Sequence, residues 1–315
     1  MKAKIKQMYE TMVKIRTFEE TIADILENRP GEIKTPCHLY IGEEAVATGV
    51  CAALRDTDTV YSTHRSHGHY IAKGGDLKAL AAEIYCKKTG CSHGRGGSMH
   101  ICDPDKGLPG SCAIVAGTIP VAVGTALAYK YRKEDNVAVS FFGDGATSEG
   151  VFYESLNLAA LYHLPILFVC ENNQYSTHLH ISKILAEPDI RTKSETMGVP
   201  AQIVDGNDVN LVYTTTRTLI NNARKGNGPA LLECITYRWR GHVGPKYDLD
   251  KGLRSKEELE YWMKRDPIKI TEKKEGLTEE YITATRLRTE EEVQKAIEYA
   301  RYSPEPKSLQ REVWK

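Results

Sequence analysis

The sequence predicts an α/β fold with a mostly parallel sheet and helices on both of its faces. Three observations carry that prediction. Two apolar runs of strand length, VAVSFF (137–142) and PILFVCE (165–171), are rich in β-branched and aromatic residues and flank a segment of helical period. Strand, helix and second parallel strand make a right-handed crossover, so both runs end at the carboxyl edge of one sheet. The alternation then repeats, because AQIVDG (201–206) and PALLECITYRW (229–239) read as strands around a helix at 208–225.

The remaining elements follow from the N-terminus. Residues 4–28 form a helix, since Ile5, Met8, Met12, Ile15, Ile22 and Ile25 recur near a 3.6 period and Asn28-Arg29-Pro30-Gly31 stops it. A loop through Pro36, Cys37 and His38 leads into a helix at EEAVATGVCAAL (43–54). TVYSTHRSHGHY (59–70) begins as a strand and ends polar, and DLKALAAEIYCKK (76–88) is helical. The glycine-rich stretch 89–112 is too long for an ordinary connector, and loops of that length often carry function. A helix of small residues around 117–131 allows close packing, and 176–198 reads as irregular and charged. Tyr237 to Asp250 form a loop, and helices at 255–264 and 289–301 close the chain. No linker, internal repeat or low-complexity segment interrupts it, so residues 1–315 are expected to make a single domain with an N-terminal helix and a C-terminal helical extension.

Composition bounds the function. The 42 basic and 42 acidic residues leave no net charge that would suggest nucleic acid or a membrane surface as partner. No apolar run approaches the roughly 18–20 residues of a membrane span. The start, MKAKIKQMYETMVKIRTFEE, lacks the apolar core of a signal peptide, so a cytoplasmic protein is expected. The eight cysteines include no CxxC pair, which suits reduced thiols.

The chemistry gathers where the two central strands end. The first runs into Gly143-Asp144-Gly145 and the second into Asn172-Asn173, with Asn173 29 positions after Asp144. Ligands of open α/β sheets sit at that edge. A carboxylate oxygen from Asp144, an amide oxygen from Asn173 and a main-chain carbonyl just beyond, as from Tyr175, make half of an octahedron for a hard cation. The open half suits diphosphate oxygens, which glycines beside Asp144 and a following helix N-terminus would let approach. A GDG tripeptide alone is usually only a turn, and the second tip at this spacing raises its meaning.

GDG followed nearly thirty residues later by NN, with ESLN and HLP between, resembles the thiamine-diphosphate motif. The likeness is to the α subunits of the heterotetrameric 2-oxo acid dehydrogenases of the pyruvate, branched-chain and acetoin type, and it runs from about Tyr9 to the SPEP segment. It implies thiamine diphosphate and Mg2+, with Asp144, Asn173 and the Tyr175 carbonyl on the metal and backbone of Gly145 and Ala146 toward the phosphates.

Arg65, in THRSHGHY, is a fork able to clamp phosphate oxygens. Three histidines beside it also invite a zinc reading, but no cysteine or carboxylate nearby completes that set. The resemblance assigns His64 and Arg65 to the cofactor diphosphate. It assigns His242, in RWRGHVG, to cofactor and intermediate contact, and His38, in CHLYIGEEA, to the substrate end of the pocket. His242 and His38 are thus the candidate catalytic groups. Backbone at Ala113 and Val115 would hold the aminopyrimidine ring, and His100 in HGRGGSMH is expected to hydrogen-bond within the site. The family pattern HLYxGQEA usually carries a phenylalanine where Pro36 stands, and GxxGIVGxxxP is here GSCAIVAGTIP, so the acyl pocket is expected to differ from that of pyruvate dehydrogenase. Val243 replaces the serine that mammalian pyruvate dehydrogenases phosphorylate, so kinase control there is not expected.

Two further implications concern partners. The glutamate that engages the pyrimidine ring lies in this family on a separate pyrimidine-binding domain, which implies a β subunit, a heterotetramer, and an inactive chain when alone. The leading expectation is decarboxylation of a 2-oxo acid, or cleavage of acetoin, with the acyl group passed to a lipoyl acyltransferase. The alternative is a thiamine-diphosphate carboligase or decarboxylase subunit in a biosynthetic pathway, for example of sugars, without a lipoyl partner. A non-enzymatic cofactor-sensing module explains Asp144 and Asn173 but leaves Arg65, His38 and His242 unused.

Overall fold

A computed structural model describes residues 2–249 and 252–307, so Asp250, the end of the expected loop, lies outside the described residues. Eight strands occur there: β1 Thr59–Ser62, β2 Gly110–Ser111, β3 Ala138–Gly143, β4 Ile166–Asn172, β5 Tyr175–Ser176, β6 Leu179–His180, β7 Ala201–Asp205 and β8 Ala230–Ile235. Six form one sheet in the order β2-β1-β3-β4-β8-β7, with every pairing parallel. The strands β5 and β6 make a separate antiparallel ribbon.

Side chains alternate across this sheet, and both faces are apolar. Val139, Phe141, Leu167 and Val169 face one core, while Ala138, Phe142, Ile166, Phe168 and Cys170 face the other. A sheet greasy on both sides has to be covered on both sides. The first face receives α1 (Lys2–Asn28), α2 (Glu44–Ala52), α4 (Leu77–Ile84), α8 (Val209–Arg224) and α11 (Glu279–Tyr302). The second receives α5 (Ile119–Arg132), α6 (Gly150–Leu161) and α7 (Ile190–Thr196). A smaller cluster joins Ile5, Met8 and Met12 of α1 to Ile268 of α10 (Pro267–Glu275) and Ile282 of α11. The α/β expectation with a parallel sheet and helices on both faces holds.

Three segments differ from the sequence reading. The polar end of THRSHGHY is a helix, α3 (His67–Ala72), and both of its histidines are buried. Gly68 makes that possible, because a Cβ there would lie 2.3 Å from the Tyr40 ring. The stretch after Tyr175 is not wholly irregular, since it holds the β5–β6 ribbon and α7, whose N-cap Asp189 accepts from Thr192 N at 3.1 Å. The helix expected at 255–264 is α9 (Lys256–Lys264), while the C-terminal helix begins at Glu279 rather than at 289, and α10 precedes it. There Asp266 caps Ile268 N at 3.0 Å with Pro267 in the first turn, and Gly276 closes the helix at φ +57°. The buried side of α11 includes Thr285 and Thr289, which hid the apolar stripe.

Candidate active site

The register sets β3 and β4 level at their carboxyl ends, Gly143 opposite Glu171, and one cavity opens beyond them. Its lining contains all but one of the residues expected at the site: His38, His64, Arg65, Ala113, Val115, Asp144, Gly145, Ala146, Asn173, Tyr175 and His242. His100 is the exception among the pocket-side expectations. Its side chain is exposed and outside the lining, while its carbonyl accepts from Ser92 Oγ at 3.2 Å. In the same loop Met99 reaches the cavity instead.

After β3 the chain makes a tight 3-10 turn over Asp144–Ser148 before α6 begins at Gly150. Thr147 Oγ1 donates to the Asp144 carbonyl at 2.8 Å and Ser148 Oγ to that of Gly145 at 2.7 Å, which stiffens the turn. A Cβ on Gly145 would lie 2.4 Å from Ser176 Oγ, so only glycine lets this turn and the β5–β6 ribbon close on each other. Asp144 is 1 % exposed and its Oδ2 has no hydrogen-bond partner among the described residues. Burial pushes its carboxyl up to about 7. An orphaned buried carboxylate oxygen is costly by itself and is what a bound divalent cation satisfies. Nearby, Asn173 Nδ2 donates to Glu43 Oε1 at 3.0 Å, and its Oδ1 accepts from Tyr175 N at 3.2 Å. The amide plane is therefore held from both sides. This oxygen-rich donor set fits a hard cation with diphosphate, and no feature of it conflicts with one.

Arg65 is buried and ties two loops together. Its Nη1 donates to the Leu39 carbonyl at 2.6 Å and its Nη2 to that of His242 at 3.3 Å, with Glu43 Oε2 3.6 Å from Nε. Behind it, Arg238 Nη1 donates to the Arg240 carbonyl at 2.9 Å, and burial, reinforced by the Arg65 charge, lowers its guanidinium to about 10. Arg254 fastens the same loop. It donates to Asp248 Oδ1 at 2.8 Å and to the carbonyls of Arg238, Trp239, Arg240 and Tyr247.

The three histidines from distant segments meet here. Ring centroids lie 4.5 Å apart for His38 and His64, 4.9 Å for His38 and His242, and 5.4 Å for His64 and His242. Burial, with the Arg65 charge second, lowers His38 to about 2 and His64 and His242 to about 3. All three are neutral imidazoles in this arrangement, able to accept a proton only if a negative charge develops beside them.

Sequence reading missed several lining and supporting groups. Glu43 and Glu171 both face the cavity. Glu43 stands where the family pattern HLYxGQEA has Gln, a difference visible in IGEEA, and burial raises it to about 7. Glu171 looked like part of an apolar strand. It accepts from the Tyr40 hydroxyl and meets His69 Nε2 at 2.9 Å, while Ser62 Oγ meets His69 Nδ1 at 2.7 Å. A parallel set joins Ser98 Oγ to His67 Nε2 at 2.9 Å and His67 Nδ1 to Glu19 at 3.1 Å. Neither set had a spacing signal, because the partners are far apart in the chain. Ala116, a departure from the usual glycine, adopts φ +61°, in the left-handed region that a Cβ disfavours.

Comparison with known proteins places this geometry in context. The model of the dehydrogenase E1 component family matches residues 9–308. The α subunit of acetoin:2,6-dichlorophenolindophenol oxidoreductase from Bacillus subtilis (strain 168) is 42% identical over 304 residues, covering 95% of this chain and 90% of that protein. The pyruvate dehydrogenase E1 component subunit alpha from Porphyra purpurea is 40% identical over 317 residues, covering 97% and 90%. The chloroplastic pyruvate dehydrogenase E1 component subunit alpha-3 of Arabidopsis thaliana is 39% identical over 310 residues, covering 95% and 71%.

Proposed function

This chain belongs to the dehydrogenase E1 component family, and we propose that it is the half of the enzyme that grips the cofactor diphosphate. It is an α subunit of a thiamine-diphosphate-dependent oxidoreductase that works with a β subunit. The substrate is a 2-oxo acid or acetoin, the acyl group passes to a lipoyl acyltransferase, and the chain is one diphosphate-binding domain of a cytoplasmic heterotetramer. Among the described residues no helix is long and apolar enough to cross a membrane.

The observation that carries the reading is the buried, unpartnered Oδ2 of Asp144 in a cavity lined by Asn173, Arg65 and three neutral histidines. Asp144, the Asn173 amide oxygen and the Tyr175 carbonyl would hold Mg2+. Backbone of Gly145 and Ala146 would face the phosphates, with Arg65 and His64 neutralising and bonding their oxygens. Ala113 and Val115 would offer main chain to the aminopyrimidine. Thiamine diphosphate supplies the electron sink for the charge left on the substrate carbon when its neighbour departs. His38 and His242, held unprotonated, would accept or return a proton at the substrate oxygen. The pyrimidine-engaging glutamate is expected from the β subunit.

The test is to co-purify the chain with a β subunit and assay acceptor reduction with thiamine diphosphate, Mg2+, 2,6-dichlorophenolindophenol and a panel of 2-oxo acids and acetoin. Reduction should require both subunits and fall at least about a hundredfold in Asp144→Ala, with cofactor binding lost by calorimetry. Full activity in that variant, or turnover by the isolated chain, contradicts the reading.

A further inference from the structure

The oxygen-rich end of the cavity and its imidazole end are chemically different places. Mg2+ favours the first, because it demands hard oxygen ligands. The second is built from His38 after α1, His64 after β1 and His242 after β8, and one ring nitrogen from each lies within 4.8 Å of the other two. His38 is 8 % exposed, yet its Nδ1 has no hydrogen-bond partner among the described residues. No described group hydrogen-bonds the ring nitrogens of His64 or His242 either, so the three lone pairs are free to converge. Burial keeps the rings unprotonated, which is the form a metal requires.

Neutral imidazole is a preferred ligand for borderline ions such as Zn2+, and three nitrogens with one open position is a common zinc arrangement. Zn–N bonds of about 2.0–2.1 Å would draw these nitrogens inside the 4.8 Å that bounds their separations here. The Arg65 charge opposes a second cation, but Glu43 lies 3.6 Å from that guanidinium and two carbonyls accept from it. We propose that His38, His64 and His242 form a transition-metal site separate from the Mg2+ site, and that a Zn2+ ion bound there shuts the enzyme off. The ion would occupy the three lone pairs and leave its fourth position facing the cavity. Only the inhibitory half of this rests on the assigned function; the binding half does not.

The test uses the metal-free complex of this chain with its β subunit, titrated with Co2+ in the absence of thiamine diphosphate. One Co2+ per chain should give the intense visible bands of four-coordinate cobalt, displaced by Zn2+ and untouched by excess Mg2+. His38→Asn, His64→Asn and His242→Asn should each weaken Co2+ binding at least about tenfold. One equivalent of Zn2+ should then abolish acceptor reduction by the wild-type complex, and a chelator should restore it. Absent bands, bands that survive all three variants, or bands that Mg2+ removes overturn the site. Zn2+ bound through these histidines without loss of activity overturns the inhibition. Asp144→Ala separates the two readings, since it should lose the cofactor while keeping the cobalt spectrum.

Discussion

His38 shows how one side chain couples burial to pH. Its imidazole is held at about 2 by burial and then by Arg65, well below the usual 6.5. A base whose folded value is depressed contributes stability that is fully present above 6.5 and is lost as pH falls, because the unfolded chain binds the proton first. At pH 5 this costs at most about 2 kcal/mol for one such histidine. His38→Asn should therefore flatten the drop in the thermal midpoint between about pH 7 and pH 5. An unchanged drop would mean that His38 is protonated in the folded chain. His64 and His242 add to the same acid lability in the same direction. These residues were legible as candidates from HLY, THR and RGHVG, but their mutual distances were not, since 26 and 204 positions of chain separate His64 and His242 from His38.

At the level of elements, the loop carrying His242 is held by a residue with no motif. Arg254 spends its guanidinium on Asp248 and four backbone carbonyls, and its side chain is fully buried. Buried multidentate contacts of this kind hold loop backbone that would otherwise fray. Arg254→Met removes the cation, leaves Asp248 only the longer 3.7 Å pair with Arg238 and should destabilise the chain by roughly 3 kcal/mol. Amide exchange over residues 238–247 should speed up more than exchange in β3 or β4. Uniform acceleration would mean that Arg254 supports the whole fold rather than the loop. The five longer strands of the sheet and most helices could be read from period and capping, whereas β2, the β5–β6 ribbon, α3, α7 and α10 could not. The histidines of α3 look solvent-facing in sequence and become core only because Glu19, Ser98 and Glu171 reach them.

At the scale of the whole molecule, some of the exposed apolar side chains lie near the cavity. Val121, Tyr131, Leu161 and Tyr162 are exposed on α5 and the end of α6, where Lys130 Nζ donates to the Tyr162 carbonyl. Ile114 and Val115 are exposed at the cavity rim beside them in sequence. Of these, Val121 stands at the start of α5, three residues after the lining residue Thr118, and apolar surface beside an incomplete site suits the β subunit. Val121→Asp would bury an unpaired carboxylate in that contact and should weaken association of the two subunits at least about a hundredfold. The isolated variant should unfold within about 0.5 kcal/mol of the parent, as surface changes do. Unchanged association, measured by sedimentation, would exclude this face from the interface.

By itself the sequence determined the sheet, its helical cover and the pairing of Asp144 with Asn173. Those features are written in local period and in the spacing of one crossover, which the chain cannot evade. Tertiary structure alone decided which polar groups converge. Glu43 bonds Asn173 across the cavity, Arg65 ties the His38 and His242 loops, and Glu171 turns from an apparent core position into the acceptor for Tyr40 and His69. The physical reason is that burial and long-range contact set these charges and hydrogen bonds, and neither quantity is a property of neighbouring residues in the chain.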